Sequence, residues 1–279
     1  MRFVDQGGDL VVAVDEGVEK SMVDLAAEFG IELEQRGKMA VDYARPVELH
    51  EHDPTVFVTD QINPEPAFFG DEANAGDVVY QGIGMSFSPN SELLSPLLTG
   101  TPTTYSSVPG EEVRETSVLA GKEVVLVTAL QARNNARAVF SGSMKMFSDD
   151  FMDMILPGES PEEDMESANH VICKEMLKWV LQEKSVLKAS KFHHRIVGGE
   201  KQSMYRIKDQ VEFFAHIEEF VEGEWVPFKG NDVQVSAQAM PPEKGVSDRT
   251  VSKLDQQLGL LMESKTGAIS RNWLCGRLM

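Results

Sequence analysis

The stretch LQARNNARAVFSGS, residues 130–143, sets two arginines and two asparagines between apolar runs and closes in a small-residue turn. Guanidinium groups grip phosphate bidentately, so Arg133 and Arg137 read in one way as a fork for a pyrophosphate or an acidic partner surface. In the other reading the flanking runs EVVLVTALQA and ARAVFSGS are β-prone strands, and Asn134 and Asn135 tolerate the left-handed backbone that a tight turn requires. That makes a hairpin with both arginines on its rim. The turn chemistry favours this hairpin, a structural or contact element carried by Arg133, Asn134, Asn135 and Arg137, over the anion fork.

Other reactive residue types are weaker candidates. The run FSGSMKMFSDDFMD leads from a strand through a Gly/Ser turn toward a helix, a geometry that holds phosphate on free backbone N–H groups. It lacks the spacing of a phosphate loop, of a dinucleotide fingerprint and of a serine elbow. Ser148 reads as a helix N-cap, with Asp149 and Asp150 placed where the helix dipole favours negative charge. No D-x-D triplet, the pattern by which many sugar-nucleotide transferases hold a metal, occurs in the chain. His193 and His194 are adjacent, so on a strand they point to opposite faces and cannot share an ion. His50 and His52, near Asp53, sit in the charged pre-proline stretch ELHEHDP and read as a solvated loop. Cys173 falls among Val171, Ile172 and Met176 of an amphipathic helix, where cysteines are inert packing. We assign no catalytic residue, no cofactor site and no metal site from these patterns.

Composition narrows the classes further. The chain has 279 residues, 42% of them hydrophobic, and a formal charge of −19. That content supports a globular core, and the charge argues against a nucleic-acid binder, which needs a basic face. The longest apolar runs, such as Val124 to Ala129, fall far short of the roughly 20 residues that cross a bilayer. Asp5, Gly7, Gly8 and Asp9 interrupt any signal-peptide core, so patterning alone reads as cytosolic. Cys173 and Cys275 stand 102 positions apart and form no disulfide or metal framework.

The elements that must position these residues follow from periodicity. GGDLVVAV and EKSMVDLAAEFGIEL read as a strand, a turn and an amphipathic helix with Met22, Leu25, Ala26 and Phe29 on one stripe and Gly30 past its end. Short β-prone runs follow at 55–59, 78–85, 103–107 and 124–129, and a helix is predicted over 166–184. Residues 1–185 therefore read as an α/β domain. From 186 to 235, Val211, Phe213, Ala215 and Ile217 alternate with mostly polar residues, which predicts the start of an all-β domain. Residues 236–279 carry a net +2 against −21 for the preceding 235, and stay an unassigned, divergent tail.

Taken together, LQARNNARAVFSGSMKMFSDDF is similar to a hallmark run of the 48 kDa subunit family of the eukaryotic oligosaccharyltransferase. FVDQGGDLVVA, GIGM at 82–85, LLTGTPTTYS at 97–106, HHR at 193–195 and WVPFKGNDVQ at 225–234 resemble further segments of the same family in the same order. The resemblance implies a flavodoxin-like or amidotransferase-like α/β domain, incomplete at its N-terminus, then a partial lumenal β-sandwich. It also implies a signal peptide and opening strands before Met1, and the remaining sandwich strands and a membrane anchor after Gln234. As function it implies a non-catalytic subunit on the lumenal side of the endoplasmic reticulum membrane. There it would support transfer of a preassembled glycan from dolichyl pyrophosphate to asparagine of Asn-X-Ser/Thr. The implied partners are the catalytic subunit, ribophorins, small membrane subunits and the translocon. The rival classes are a stand-alone amidotransferase-like enzyme and an anion or lipid-phosphate binding module. With both ends as they stand, the strand near Leu10 to Val14 should present an open edge, and the Val211, Phe213 and Ile217 face should lack an opposing sheet.

Overall fold

In the computed structural model the described residues are 2–47, 53–111, 119–157, 164–202, 210–221 and 223–229. The chain divides into two compact units, residues 1–185 and 186–279. Among the described residues no helix is long and apolar enough to cross a membrane.

The first unit is built on strands β1 (Leu10–Ala13), β2 (Ile31–Leu33), β3 (Met39–Val41), β4 (Phe57–Thr59), β5 (Val78–Tyr80), β6 (Met85–Phe87), β7 (Leu94–Thr99), β8 (Tyr105–Ser107), β9 (Val125–Gln131) and β10 (Arg137–Ser141). Six of them form one sheet in the order β1-β10-β9-β6-β2, with β7 also paired to β9. Only β1 and β10 run parallel; the other pairings in this sheet are antiparallel. β6 touches β9 only at Met85, opposite Val125, and β7 runs along β9 from Leu94 opposite Leu130 to Thr99 opposite Val125, with register slips after Pro96 and Leu98. Pro96 has no N–H to give the ladder, so the strand bends there. β3 pairs with β8 and β4 with β5 as separate two-stranded ribbons.

Both faces of the central strands are covered. β9 and β10 are buried along almost their whole length, which is why they read as continuous apolar runs rather than alternating ones. On one face, helix α2 (Lys20–Glu28) lays Ala26, Met22 and Leu25 against Val12, Ile31, Leu130 and Phe140. On the other, helix α4 (Asn169–Val180) buries Ile172, Cys173, Met176, Trp179 and Val180 against Val127, Ala129 and Val139. Neighbouring residues of β10 thus serve opposite layers, Ala138 and Phe140 facing α2 and Val139 facing α4. A third, smaller cluster gathers Val47, Val56, Val79 and Phe151.

Three elements depart from the expected ones. The helix predicted over 166–184 is shorter at both ends: Met165 and Glu166 form strand β12 (Met165–Glu166) against β11 (Ile155–Leu156), and Gln182 and Ser185 take positive φ of 59° and 57°. Residues 78–85 are not one strand, because the chain breaks at Gly82 between β5 and β6. Ser148 does precede a helix, α3 (Asp149–Met152), with Asp149 and Asp150 in its first turn, but its hydroxyl donates backwards to the Lys145 carbonyl at 2.7 Å instead of capping.

In the second unit, β13 (Val186–Ile196), β14 (Val211–Val221) and β15 (Glu224–Pro227) form an antiparallel three-stranded sheet. The register slips between Ser190 and His193, where Lys191 has φ of 54°. Val211, Phe213 and Ile217 lie opposite Ile196, His194 and Ala189, so this face is largely apolar. The other face is aromatic and charged rather than simply polar. Lys188 sits 5.3 Å over the Trp225 ring, and His193 stacks on Phe214 at 4.4 Å. Both faces of β14 are only half-buried. The tail 236–279, Cys275, His50 and His52 lie outside the described residues.

The break at Gly82 has a steric cause. A Cβ on Gly82 would stand 2.1 Å from the Gly142 carbonyl oxygen, and one on Gly142 would stand 2.1 Å from that of Ile83. The close approach lets Ile83 N–H donate to the Gly142 carbonyl at 2.8 Å and Gly142 N–H to that of Leu126 at 3.0 Å. We predict that Gly82→Ala and Gly142→Ala each destabilise the chain by about 3 kcal/mol or more, the upper range for overpacking. Gly17→Ala, with no atom within 4 Å of its added methyl, should change stability by less than about 0.5 kcal/mol in the same urea titration.

Candidate functional site

The hairpin predicted at the outset forms between β9 and β10, with Arg137 opposite Gln131. Asn135 holds the left-handed position at φ of 68°, and Asn134 Oδ1 accepts from Ala136 N–H at 3.1 Å. The Asn134 amide also donates to the carbonyls of Val4 and Asp5, at 2.8 and 3.1 Å, tying down the short helix α1 (Arg2–Asp5). Sequence reasoning put both arginines on the rim, and the structure corrects half of that. Arg133 is exposed. Arg137 is only 3% exposed and points into the α4 layer.

There its guanidinium donates to the carbonyls of Trp179 at 2.6 Å, Lys184 at 2.8 Å and Ser185 at 2.5 Å, and lies 4.7 Å over the Trp179 ring. Trp179 lies in the last turn of α4, so the cation meets the negative end of that helix's dipole, and the Lys184 and Ser185 carbonyls follow the helix. Burial lowers the Arg137 pKa to about 10, with Asp9 opposing that shift, so the group stays charged at neutral pH. The two arginines therefore point apart, and Arg137's terminal nitrogens are already committed to carbonyls. They make no anion fork. The sign of burial was present in the sequence: on a strand, Arg137 shares a face with Val139, inside a run with no polar neighbour to mark a solvent side.

A second cluster was missed because its members are far apart in sequence. Asp42, fully buried, accepts from the hydroxyls of Thr101 at 2.5 Å, Thr103 at 2.9 Å and Thr104 at 3.0 Å. The backbone N–H groups of Ala44 and Arg45 complete the shell at 2.9 and 3.2 Å. Burial by itself would raise this carboxyl's pKa, but these hydrogen bonds outweigh it and the net shift is downward. Asn169 works in the same way, its amide bridging both backbone groups of Val79 at 2.7 and 2.9 Å. Cys173 is buried, and desolvation pushes its thiol up to about 12, so it is not a thiolate nucleophile.

Open to solvent is a cleft of about 360 Å³, lined by polar and apolar residues, just past the carboxyl ends of β1 and β10. In α/β sheets, ligands bind at the carboxyl ends of parallel strands. Asp15 and Glu16 follow β1, and Lys145 follows β10. Across the floor runs a chain of hydrogen bonds. Lys145 Nζ donates to Gln81 Oε1 at 2.5 Å, Gln81 Nε2 to Thr55 Oγ1 at 3.1 Å, and Thr55 Oγ1 to Asp53 Oδ1 at 2.8 Å. Met39 and Pro109 supply an apolar wall. Arg133 and Arg137 belong to the opposite end of β10 and do not line this cleft. Among the described residues no group of three or more His, Cys, Asp or Glu is arranged to hold a metal ion.

An α/β unit followed by an antiparallel β unit, with its strongest charges buried in structural contacts, has a counterpart among known families. Residues 1–183 match the family model for the OST48 N-terminal domain, and residues 193–253 match that for the OST48 middle domain. The chain belongs to the OST48 family. It is similar to the dolichyl-diphosphooligosaccharide–protein glycosyltransferase 48 kDa subunits of Arabidopsis thaliana, 32% identical over 244 residues, and Caenorhabditis elegans, 32% over 248. The corresponding Danio rerio protein is 31% identical over 245 residues. Each match covers 86% of this chain but only 55–56% of the relative, so the chain spans about half the length of these proteins.

Two outcomes test the buried charges. Arg137→Met, which keeps the stem and removes the donors to three carbonyls, should cost about 3–5 kcal/mol in chemical unfolding, as breaking a buried charged contact does. Arg133→Ala should cost less than about 0.5 kcal/mol. Asp42 has a folded pKa below its ordinary value of 3.8. Its contribution is therefore complete above the unfolded carboxylate range and is lost as pH falls through the lowered folded value. The stability gap between the parent chain and Asp42→Asn should be widest near neutrality and close as pH drops below about 4, where unfolded aspartate titrates.

Proposed function

We propose that this chain serves as a non-catalytic subunit of the oligosaccharyltransferase complex. In that role it supports transfer of the preassembled glycan from dolichyl pyrophosphate to asparagine in protein N-linked glycosylation. The observation that carries the reading is the OST48 match over 1–183 and 193–253. Its partners on this reading are the catalytic subunit, ribophorins, small membrane subunits and the translocon, and its place is the lumenal side of the endoplasmic reticulum membrane. Support for a non-catalytic role comes from how the reactive groups are used. Cys173 is buried and Arg137 is spent on carbonyls.

We further propose the finer architecture that the family suggests. Residues 1–185 form an amidotransferase-like or flavodoxin-like domain, 186–235 begin a β-sandwich, and 236–279 are a divergent tail. The parallel β1–β10 pair, with α2 packed beside it, supports the first. The apolar face of Val211, Phe213 and Ile217 on β14 supports the second, because a sandwich buries such a face against an opposing sheet. In the hairpin, Arg133 is the exposed arginine, beside the exposed Asn134 and Asn135, through which a subunit contact would act.

Tagging the protein in cells and purifying in mild detergent should recover the other subunits of the complex. The purified protein alone should transfer no glycan from dolichyl pyrophosphate to an acceptor peptide. Recovery as a lone protein contradicts the subunit reading, and transfer by the isolated chain contradicts the non-catalytic one.

A further inference from the structure

The cleft at the ends of β1 and β10 is not used by any contact described so far, and its chemistry discriminates between the two halves of a diphosphate-linked oligosaccharide. Its lining carries three carboxylates, Asp15, Glu16 and Asp53, against one ammonium, Lys145. A pyrophosphate brought there meets three carboxylates against one ammonium, and at a few ångströms such repulsion is only weakly screened by salt. A chelated metal is no better served, since these carboxylates do not converge as a metal-holding group.

A neutral polyol fits both the charge and the hydrogen-bond inventory. Sugar hydroxyls donate to carboxylates and accept from ammonium and amide N–H groups. The Lys145–Gln81–Thr55–Asp53 chain uses one proton of Lys145 and one of Gln81, and leaves the others to a ligand. Because each member is held by the next, the donors are oriented before a ligand arrives, which lowers the entropic cost of binding. Thr55 is 5% exposed and anchors the chain in the wall. Of the two apolar lining residues, Met39 is buried and Pro109 is exposed, so Pro109 offers the apolar surface for the C–H face of a pyranose ring. The volume, about 360 Å³, lies at the small end of ligand sites, which run from about 300 to 1,000 Å³.

We infer that this cleft binds the neutral, hydroxyl-rich saccharide portion of the complex's substrate or product, and not its diphosphate. The inference rests on the reading of the chain as an oligosaccharyltransferase subunit. Ligand-observed saturation-transfer NMR on the full chain tests it with three probes: a soluble oligosaccharide of mannose and N-acetylglucosamine, the same oligosaccharide carrying a diphosphate, and inorganic pyrophosphate. The expected result is equal affinity for the first two and none for the third. Lys145→Met and Asp15→Asn should weaken saccharide binding at least tenfold, and Arg133→Ala, at the far end of β10, should leave it unchanged. Thermal unfolding of each variant separates a lost site from a lost fold, and Lys145, being exposed, is the safer of the two. Pyrophosphate binding, tighter binding of the diphosphate form, no saccharide saturation, or saccharide binding indifferent to a folded Lys145→Met variant would each overturn the inference. If the protein assembles with its partners but binds no saccharide, only this inference fails. If saccharide binds but no partner is recovered, the subunit reading fails.

Discussion

The β9–β10 hairpin is buried on both faces, and the rest of the first unit is arranged around that constraint. A strand pair with no solvent side must find cover above and below, so α2 and α4 are drawn to opposite layers of the same residues. The same burial lets the flanks approach closely. Gly142, directly after β10, abuts Gly82 so tightly that neither position has room for a side chain. At the other end of β10, Arg137 and Asp9 fix the approaches of α4 and β1: Asp9 accepts from the Arg137 backbone at 2.8 Å and from the Gln182 amide at 3.0 Å. One hairpin thus positions the two helices, the edge strand and, past Ser141, the start of the cleft.

Burial also decides what the polar residues do. Asp42, Arg137 and Asn169 are residue types often found in active sites, yet each is held by backbone or threonine partners inside the protein, Arg137 through its two terminal nitrogens. A buried charge without such partners would cost several kcal/mol, so their hydrogen-bond shells are a condition of the fold. Among the described residues, polar side chains at the carboxyl ends of β1 and β10 keep capacity for a ligand, where strand pairing stops. Several runs singled out in the sequence make such internal contacts. GIGM and FSGS meet at the Gly82–Gly142 contact, and LLTGTPTTYS supplies the three hydroxyls around Asp42.

How much of this was legible in the sequence depended on the range of the interaction. The β1–α2 unit was readable because Met22, Leu25 and Ala26 are set by local helical spacing. Asn134 and Asn135 were readable because a turn is local chemistry. The helix ending at Val180 was overextended because Arg137, 42 positions from Trp179, draws the carbonyls that follow it. Asp42 was passed over for the same reason, its threonine donors lying 59 to 62 positions away. The rim position assigned to Arg137 was an error of a different kind: charge was taken as a mark of exposure, although Val139 on the same face signalled burial. The cleft left no sequence signature at all, since Asp15, Asp53, Gln81 and Lys145 come from four separate segments.

Native-state hydrogen exchange tests the central constraint most directly. Backbone amides whose strands are covered on both faces open only with the whole unit, whereas half-exposed strands open locally. The account predicts that amides of Val125–Gln131 and Arg137–Ser141, together with those of Ile83 and Gly142, are the slowest in the chain and respond to denaturant with the slope of global unfolding. Amides of Val211–Val221, half-buried on both faces, should exchange earlier and with a smaller slope. Early exchange of the β9–β10 amides, with β14 outlasting them, would contradict the claim that this hairpin organises the fold.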